Sequence, residues 1–254
     1  MDRFPETRHV VDPPPVVLVS CSIPSDRESG ASGDWHDVIK LPTGHVAVVV
    51  GDAAGHGVQA RPLKDALQRG LRRMAMTGTK PSQLVDGLDN VIIPERDGYA
   101  TMVYAVVEPT YGDVVLTNAG HPPPLLIGRD GSARFLTDTL DPPLGAPRAP
   151  TSPEVGRTHL WPGDTLLLYT DGLIERRTRD IGAGLDGLAT LASRFAGASL
   201  EELCARLLCM ALDASEPPDD LTVILLRLRS LPSLPEPALP ERAPAGLVNL
   251  PCSG

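Results

Sequence analysis

The feature that most restricts how this chain can fold is the segment Ser32–Gly57, SGDWHDVIKLPTGHVAVVVGDAAGHG. It reads as two strands joined by a turn. The first runs from Asp34 to about Leu41, and Pro42, Thr43 and Gly44 supply turn chemistry. The second, His45–Val50, is a nearly unbroken apolar run that delivers Asp52 into a glycine-rich corner. An antiparallel hairpin brings its open ends together, so Asp34 and Asp52 are expected to be neighbours. Two carboxylates held close repel each other unless a proton or a cation lies between them. That conflict is the first pointer to a metal.

The 254 residues are enough to bury a substantial core, in one large domain or two small ones. Aromatic residues make up only 4%, so that core must be built mainly from Val, Leu, Ile and Ala. The net charge of −9, with no long Lys/Arg block, argues against nucleic acid or an anionic membrane as a partner. No apolar run has the length of a membrane span, and the N-terminus does not read as a secretion signal. Cys21, Cys204, Cys209 and Cys252 form neither a C-x-x-C pair nor a disulfide framework, which points to reduced thiols and a cytoplasmic protein. Cys204 and Cys209 are expected on different faces of one helix.

Residues 1–15 read as an irregular lead-in and Val16–Cys21 as a strand. After Gly57 the apolar spacing is helical, with Arg61, Lys64, Arg69, Arg72 and Arg73 on the other face and Pro62 in the first turn. A second helix spans about Pro81–Val91. Ala100–Glu108 and Asp113–Asn118 form a hairpin, Pro124–Ile127 and Ala133–Leu136 a shorter pair, and Gly156–Leu160 and Asp164–Tyr169 are two further strands around Trp161, Pro162 and Gly163. Helices are expected from about Gly184 to Phe195 and from Ser199 to Leu212, the latter opened by a Ser199/Glu202 capping box. Leu221–Leu228 is a final buried strand. The proline-rich stretch 230–254 is expected to be a disordered tail, with a docking segment as the alternative. Many antiparallel strands with helices in the middle and late in the chain favour an α+β fold, and 16–229 is expected to be one catalytic domain.

Asp52, Asp171 and Asp219 each sit at the end, or just before the start, of a strongly apolar strand. Strand ends at one rim of a sheet can gather ligands, because the sheet fixes their positions. Aspartates alone, without His/Cys spacing, suit hard divalent cations such as Mg²⁺ or Mn²⁺. Turn capping is the commoner role for such residues, and spacing alone does not bring them together. Other chemistries fail on inspection. The glycine-rich corner lacks the P-loop Gly-Lys-Ser/Thr, no G-x-S-x-G elbow is present, and the six histidines show no zinc spacing.

SGDWHDV, GDAAGHG, ATMVYAVV…NAGHPPPLL, PLG, GDTLLLYTDGL and DDLTVILL, in that order, resemble the metal-dependent PPM serine/threonine phosphatases, most of all their bacterial SpoIIE/RsbU branch. The resemblance covers roughly Val16 to Leu228. It implies a four-layer α/β/β/α sandwich of two antiparallel sheets and a centre of two divalent metal ions, Mn²⁺ or Mg²⁺. By the same resemblance Asp52 would bridge both metals and the Ala53 carbonyl would add a ligand. Asp171 and Asp219 would complete the more buried metal, and Asp34 would hold the second, directly or through water. Asp37 is a weaker candidate, since residues three apart on a strand face opposite sides. Asp220 would support the ligands from behind. Ser32 and His36 depart from the family's usual glycine and aromatic. Ala54 stands where some relatives carry a histidine thought to protonate the leaving group, which leaves the general acid unassigned. His56 and His121 are alternatives, with His121 expected to orient a loop.

The activity implied is hydrolysis of phosphoserine or phosphothreonine by water activated between two metals, with no covalent phosphoenzyme. The substrate implied is a phosphorylated STAS anti-anti-sigma protein in a partner-switching pathway. With the catalytic motifs starting close to the N-terminus, control is expected from a regulatory partner, from expression or from homodimerisation. The competing expectations are a catalytically silent binding module and a two-metal hydrolase of another phosphoester.

Overall fold

A computed structural model describes residues 16–25, 32–55, 60–92, 98–148, 153–175, 180–212 and 220–229. The expected lead-in and tail, together with His56, Asp219 and Cys252, lie outside the described residues.

The described strands form two antiparallel five-stranded sheets. In the first, β1 (Val16–Ile23), β10 (Leu221–Leu228), β9 (Thr165–Tyr169), β6 (Leu125–Ile127) and β7 (Ala133–Phe135) are neighbours in that order. In the second the order is β2 (Asp34–Lys40), β3 (Val46–Ala53), β4 (Ala100–Val107), β5 (Asp113–Ala119) and β8 (Gly156–His159). Helices α1 (Arg61–Met76) and α2 (Pro81–Asp89) cover the outer face of the second sheet, and α3 (Ile181–Arg194) and α4 (Leu200–Leu212) cover the outer face of the first. The result is the expected α/β/β/α sandwich.

The period-2 alternation of strands explains why the central ones read as apolar throughout. Val46, Val48 and Val50 of β3 point between the sheets, beside Leu166, Leu168, Ile224 and Leu226. Ala47, Val49 and Ala53 point the other way, toward α1 and α2. Both faces of β3 are therefore buried.

Several boundaries move. β3 runs on through Gly51 and Asp52 to Ala53, so Asp52 sits inside a paired strand rather than in a corner. Gly51 permits this, because the ring of Trp35, its register partner, occupies the space a Cβ would need. α3 starts at Ile181 instead of Gly184, since Asp180 caps it by accepting from the Gly182 N–H at 2.9 Å. The Ser199 hydroxyl accepts from the Glu202 N–H at 3.1 Å, one half of the expected capping box. Cys204 is buried and Cys209 exposed on α4, as their spacing requires. Among the described residues no helix is long and apolar enough to cross a membrane.

Candidate active site

The hairpin register sets Asp34 directly opposite Asp52. Even-numbered residues of β2 and β3 face between the sheets at this end, so both carboxylates point into the layer that holds Val46, Val48 and Val50. Asp34 is 4% exposed. Burial drives its pKa well above the usual carboxylate range, and the nearby charges of Asp52 and Asp220 push the same way. Opposing them, the Thr170 hydroxyl donates to Asp34 Oδ2 at 2.7 Å, and Thr222 adds a further hydrogen bond.

These hydroxyls belong to a polar network that crosses from one sheet to the other. Thr170 Oγ1 accepts from the Thr222 N–H at 2.8 Å, Thr222 Oγ1 meets Ser22 Oγ at 2.6 Å, and Ser22 Oγ lies 3.3 Å from His36 Nδ1. His36, which stands where the family often has an aromatic, is a strand residue tied to the opposite sheet.

Asp171 follows Thr170 at the end of β9 and opens a short 3-10 turn, Asp171–Leu173. Its side chain and that of Asp52 line one cavity of about 300 Å³, with Thr101, His121 and Glu175. The structure thus gathers three of the four candidate aspartates at one rim: Asp34 beside Asp52, and Asp52 with Asp171. Asp219 lies outside the described residues. Among the described residues no group of three or more His, Cys, Asp or Glu side chains is arranged closely enough to hold a metal ion.

Glycine 33 fits this rim by lacking a side chain. A Cβ there would lie 2.7 Å from both Asp52 Oδ1 and the Ala53 carbonyl oxygen, the two groups expected to act as ligands. The Gly33 N–H donates to Asp220 Oδ2 at 2.8 Å, and its carbonyl accepts from the Ala53 N–H at 3.1 Å. Asp220 also accepts from the Ser25 N–H and hydroxyl, each at 2.8 Å. Burial alone would raise its pKa, yet these hydrogen bonds, with Ser32 and Gly33, hold it below the usual range. Asp220 acts as the anchor of the 25 and 33 backbone, behind the carboxylates.

Asp37 is ruled out of the cluster by the pleat. It faces α1, where Arg72 grips it in a two-pronged pair at 2.9 and 3.0 Å. The basic face of α1 is thus partly engaged with β2. Lys64, one turn into α1, turns inward and donates to the Ser32 carbonyl at 3.1 Å. Its burial lowers its pKa, against the attraction of Asp34 and Asp220. Sequence reasoning left Lys64 on a solvated face, and it missed Thr101, Thr170 and Thr222 because threonine in a strand reads only as a β-former.

His121 is structural in its geometry. The Asn118 amide brackets its backbone, accepting from the His121 N–H at 2.8 Å and donating to the His121 carbonyl at 2.9 Å. His121 Nε2 lies 3.0 Å from the Tyr169 carbonyl, which can only accept, so Nε2 carries the proton. Nδ1 then accepts from the Thr101 hydroxyl at 2.7 Å. Burial lowers the pKa of the ring to about 3 despite the Tyr169 bond. A neutral imidazole with both nitrogens engaged has no proton to lend at neutral pH. The Thr101 hydroxyl, its proton committed to His121, turns only lone pairs toward the cavity it shares with Asp52.

Comparison with known proteins agrees with this architecture. Residues 42–229 match the family described as Stage II sporulation protein E (SpoIIE). The chain belongs to the SpoIIE family. Among related proteins, it is similar to the phosphoserine phosphatase RsbU of Bacillus subtilis, 24% identical over 200 residues, or 77% of this chain and 59% of that protein. It therefore spans less than two thirds of that relative. The RsbU and RsbW domains of Rv1364c from Mycobacterium tuberculosis superpose with a TM-score of 0.76 at 32% identity, covering 84% of this chain and 60% of that one. The PP2C phosphatase domain of SpoIIE from Bacillus subtilis gives 0.69 at 17% identity, over 84% and 64% of the two chains, which speaks for the fold alone. The two antiparallel sheets with four helices are the PP2C/PPM phosphatase fold.

Proposed function

We propose that this SpoIIE-family chain is a metal-dependent phosphoserine/phosphothreonine phosphatase that acts in the cytoplasm on a phosphorylated STAS anti-anti-sigma protein. The observation that carries the reading is the strand register that sets Asp34 against Asp52, with Asp171 on the cavity that Asp52 lines. Burying like charges side by side is costly, and an all-oxygen donor set matches hard divalent cations.

Asp34, Asp52, Asp171 and Asp219, with the Ala53 carbonyl, are the residues that would hold two such ions, Mn²⁺ or Mg²⁺. When bound, the pair would activate water and neutralise charge on the phosphoryl oxygens. The chain's own residues do the positioning. Thr170 and Thr222 orient the Asp34 carboxylate, and Gly33 leaves space for Asp52 Oδ1 and the Ala53 carbonyl. Thr101, with His121 behind it, offers an acceptor for a water or a substrate hydroxyl at the cavity wall. The depressed pKa of His121 leaves protonation of the serine leaving group to water or to a residue outside this cavity wall.

The test is turnover of a serine-phosphorylated STAS protein by the purified full chain with Mn²⁺ or Mg²⁺, set beside p-nitrophenyl phosphate and a nucleotide. The expected result is metal-dependent release of phosphate from the protein substrate, lost in Asp52→Asn and Asp171→Asn. Calorimetric titration with Mn²⁺ reads the same residues without catalysis. Tight binding of the STAS protein with no turnover would mark a binding module instead, and preference for the nucleotide would mark a different phosphoester hydrolase.

A further inference from the structure

We infer that the exposed aromatic patch at the rim opposite the carboxylates is a docking surface for the chain's own proline-rich segment, residues 231–245. Tyr111 is 74% exposed and Trp161 64% exposed, in a protein with only nine aromatic Phe, Trp and Tyr residues. Exposed large aromatics that sit together mark an interaction surface more often than chance placement does. These two sit together. Asp113 pairs with His159 in the β5–β8 ladder, and the Leu160 N–H donates to the Gly112 carbonyl at 2.8 Å, one step past the end of β8. Tyr111 and Trp161 are the next residues on each side. The His159 ring packs against Trp161 edge-on, with centroids 4.3 Å apart, and is held there by Asp113 at 3.1 Å.

The occupant is identified by where the chain leaves the sandwich. The Leu228 carbonyl at the end of β10 accepts from the Gly163 N–H at 2.7 Å, and the Leu228 N–H donates to the Asp164 carbonyl at 3.3 Å. Gly163 and Asp164 belong to the turn that carries Trp161. Arg229 therefore departs beside the patch, and the segment after it reads LPSLPEPALPERAPA, with Pro232/Pro235 and Pro237/Pro240 each in P-x-x-P spacing. That pattern favours polyproline II, the conformation that aromatic-lined grooves recognise. At about 3.1 Å per residue, Pro232 reaches only some 9 Å beyond Arg229. So short a tether gives an effective concentration in the millimolar range, enough to populate a weak contact.

The experiment uses the full chain and the fact that its other tryptophan, Trp35, is 2% exposed, so iodide quenching reads Trp161. A chain ending at Ser230 is expected to show red-shifted Trp161 emission and stronger quenching than the full chain. A peptide of residues 231–245 added in trans should reverse both. In the full chain, joint replacement of Pro232, Pro235, Pro237 and Pro240 by Ala should expose Trp161 in the same way, which keeps the test available should the shortened chain fold poorly. Phosphatase turnover should be unchanged by either variant, because the carboxylates lie at the other rim. Equal quenching in the full and shortened chains overturns the inference. So does protection that appears only as protein concentration rises, which would mean docking between copies, or protection that is lost on removing residues 12–15 instead.

Discussion

The layer between the sheets has two ends built on the same strands, and their chemistry is opposite. Followed along β3, the inward residues read Val46, Val48, Val50, Asp52; along β10, from the far end, Leu228, Leu226, Ile224, Thr222. β1 and β4 change in the same way, from Val16 and Val107 to Ser22 and Thr101. The apolar end is closely covered on both sides, with Leu166, Leu168 and Leu226 fully buried. The polar end sets Asp34 and Asp52 side by side, an arrangement that would push two free strands apart. The difference teaches that the apolar end supplies the stability and the polar end spends it. Strands clamped at one rim can hold like charges together at the other.

Four experiments break or sharpen that contrast. The largest effect is expected at the polar end, in function. Asp52→Asn should lower metal-dependent turnover by more than the roughly 10–100-fold typical of losing an outer partner of a metal ligand. In metal-free protein the same change should leave the thermal midpoint unchanged or higher, since it removes the like charge that, after burial, adds to the upward push on the Asp34 pKa. A fall in stability with turnover intact would reverse the assignment of the two ends. Next comes the apolar end, where Leu226→Ala should cost about 2–5 kcal/mol in urea unfolding while the folded protein keeps whatever turnover per molecule the unmodified chain shows.

An effect of comparable size is expected from pH, spread over several pH units. His121 is held neutral in the folded state with a pKa of about 3, against about 6.5 when unfolded. The unfolded chain therefore binds the extra proton first, and stability should fall as pH drops from about 6.5 toward 3. His121→Gln should flatten that part of the unfolding free energy plotted against pH, and an unchanged slope would assign it to the carboxylates. Smallest of all is the pair on the outer face. Arg72→Ala should cost no more than about 1 kcal/mol and leave turnover untouched, because Arg72 is largely exposed and Asp37 faces away from the cavity. A large loss of turnover in Asp37→Ala would return Asp37 to the ligand set.

Much of this was legible in the order of residues. Short runs bounded by turn residues marked each of the described strands, and the Pro-Thr-Gly turn set the hairpin register that pairs Asp34 with Asp52. The expected independence of Asp37 followed from the pleat alone. Less could be read at element ends. Asp52 was expected in a corner, and only the Trp35 ring packed on Gly51 explains why the strand continues past it. Lys64 looked like one more cation on a solvated helix face, because a helical pattern shows which face is apolar but not which long side chain reaches around it. Asn118, His121, Thr101 and Tyr169 are scattered over about seventy residues of sequence and meet only through the sheet ladders.

By itself the sequence determined the α+β class and the acid pair of the hairpin, because both follow from spacing within a few residues along one chain, while the two-sheet layering was implied by the resemblance of its motifs to a family. Tertiary structure alone decided that Asp171 shares a cavity with Asp52, that Thr170 reaches across to Asp34, and that His121 is too buried to carry a proton. The physical reason is range. Side-chain alternation and turn geometry act between neighbours, whereas burial, charge repulsion and cross-sheet hydrogen bonds depend on which distant strands the packed core brings to the same rim.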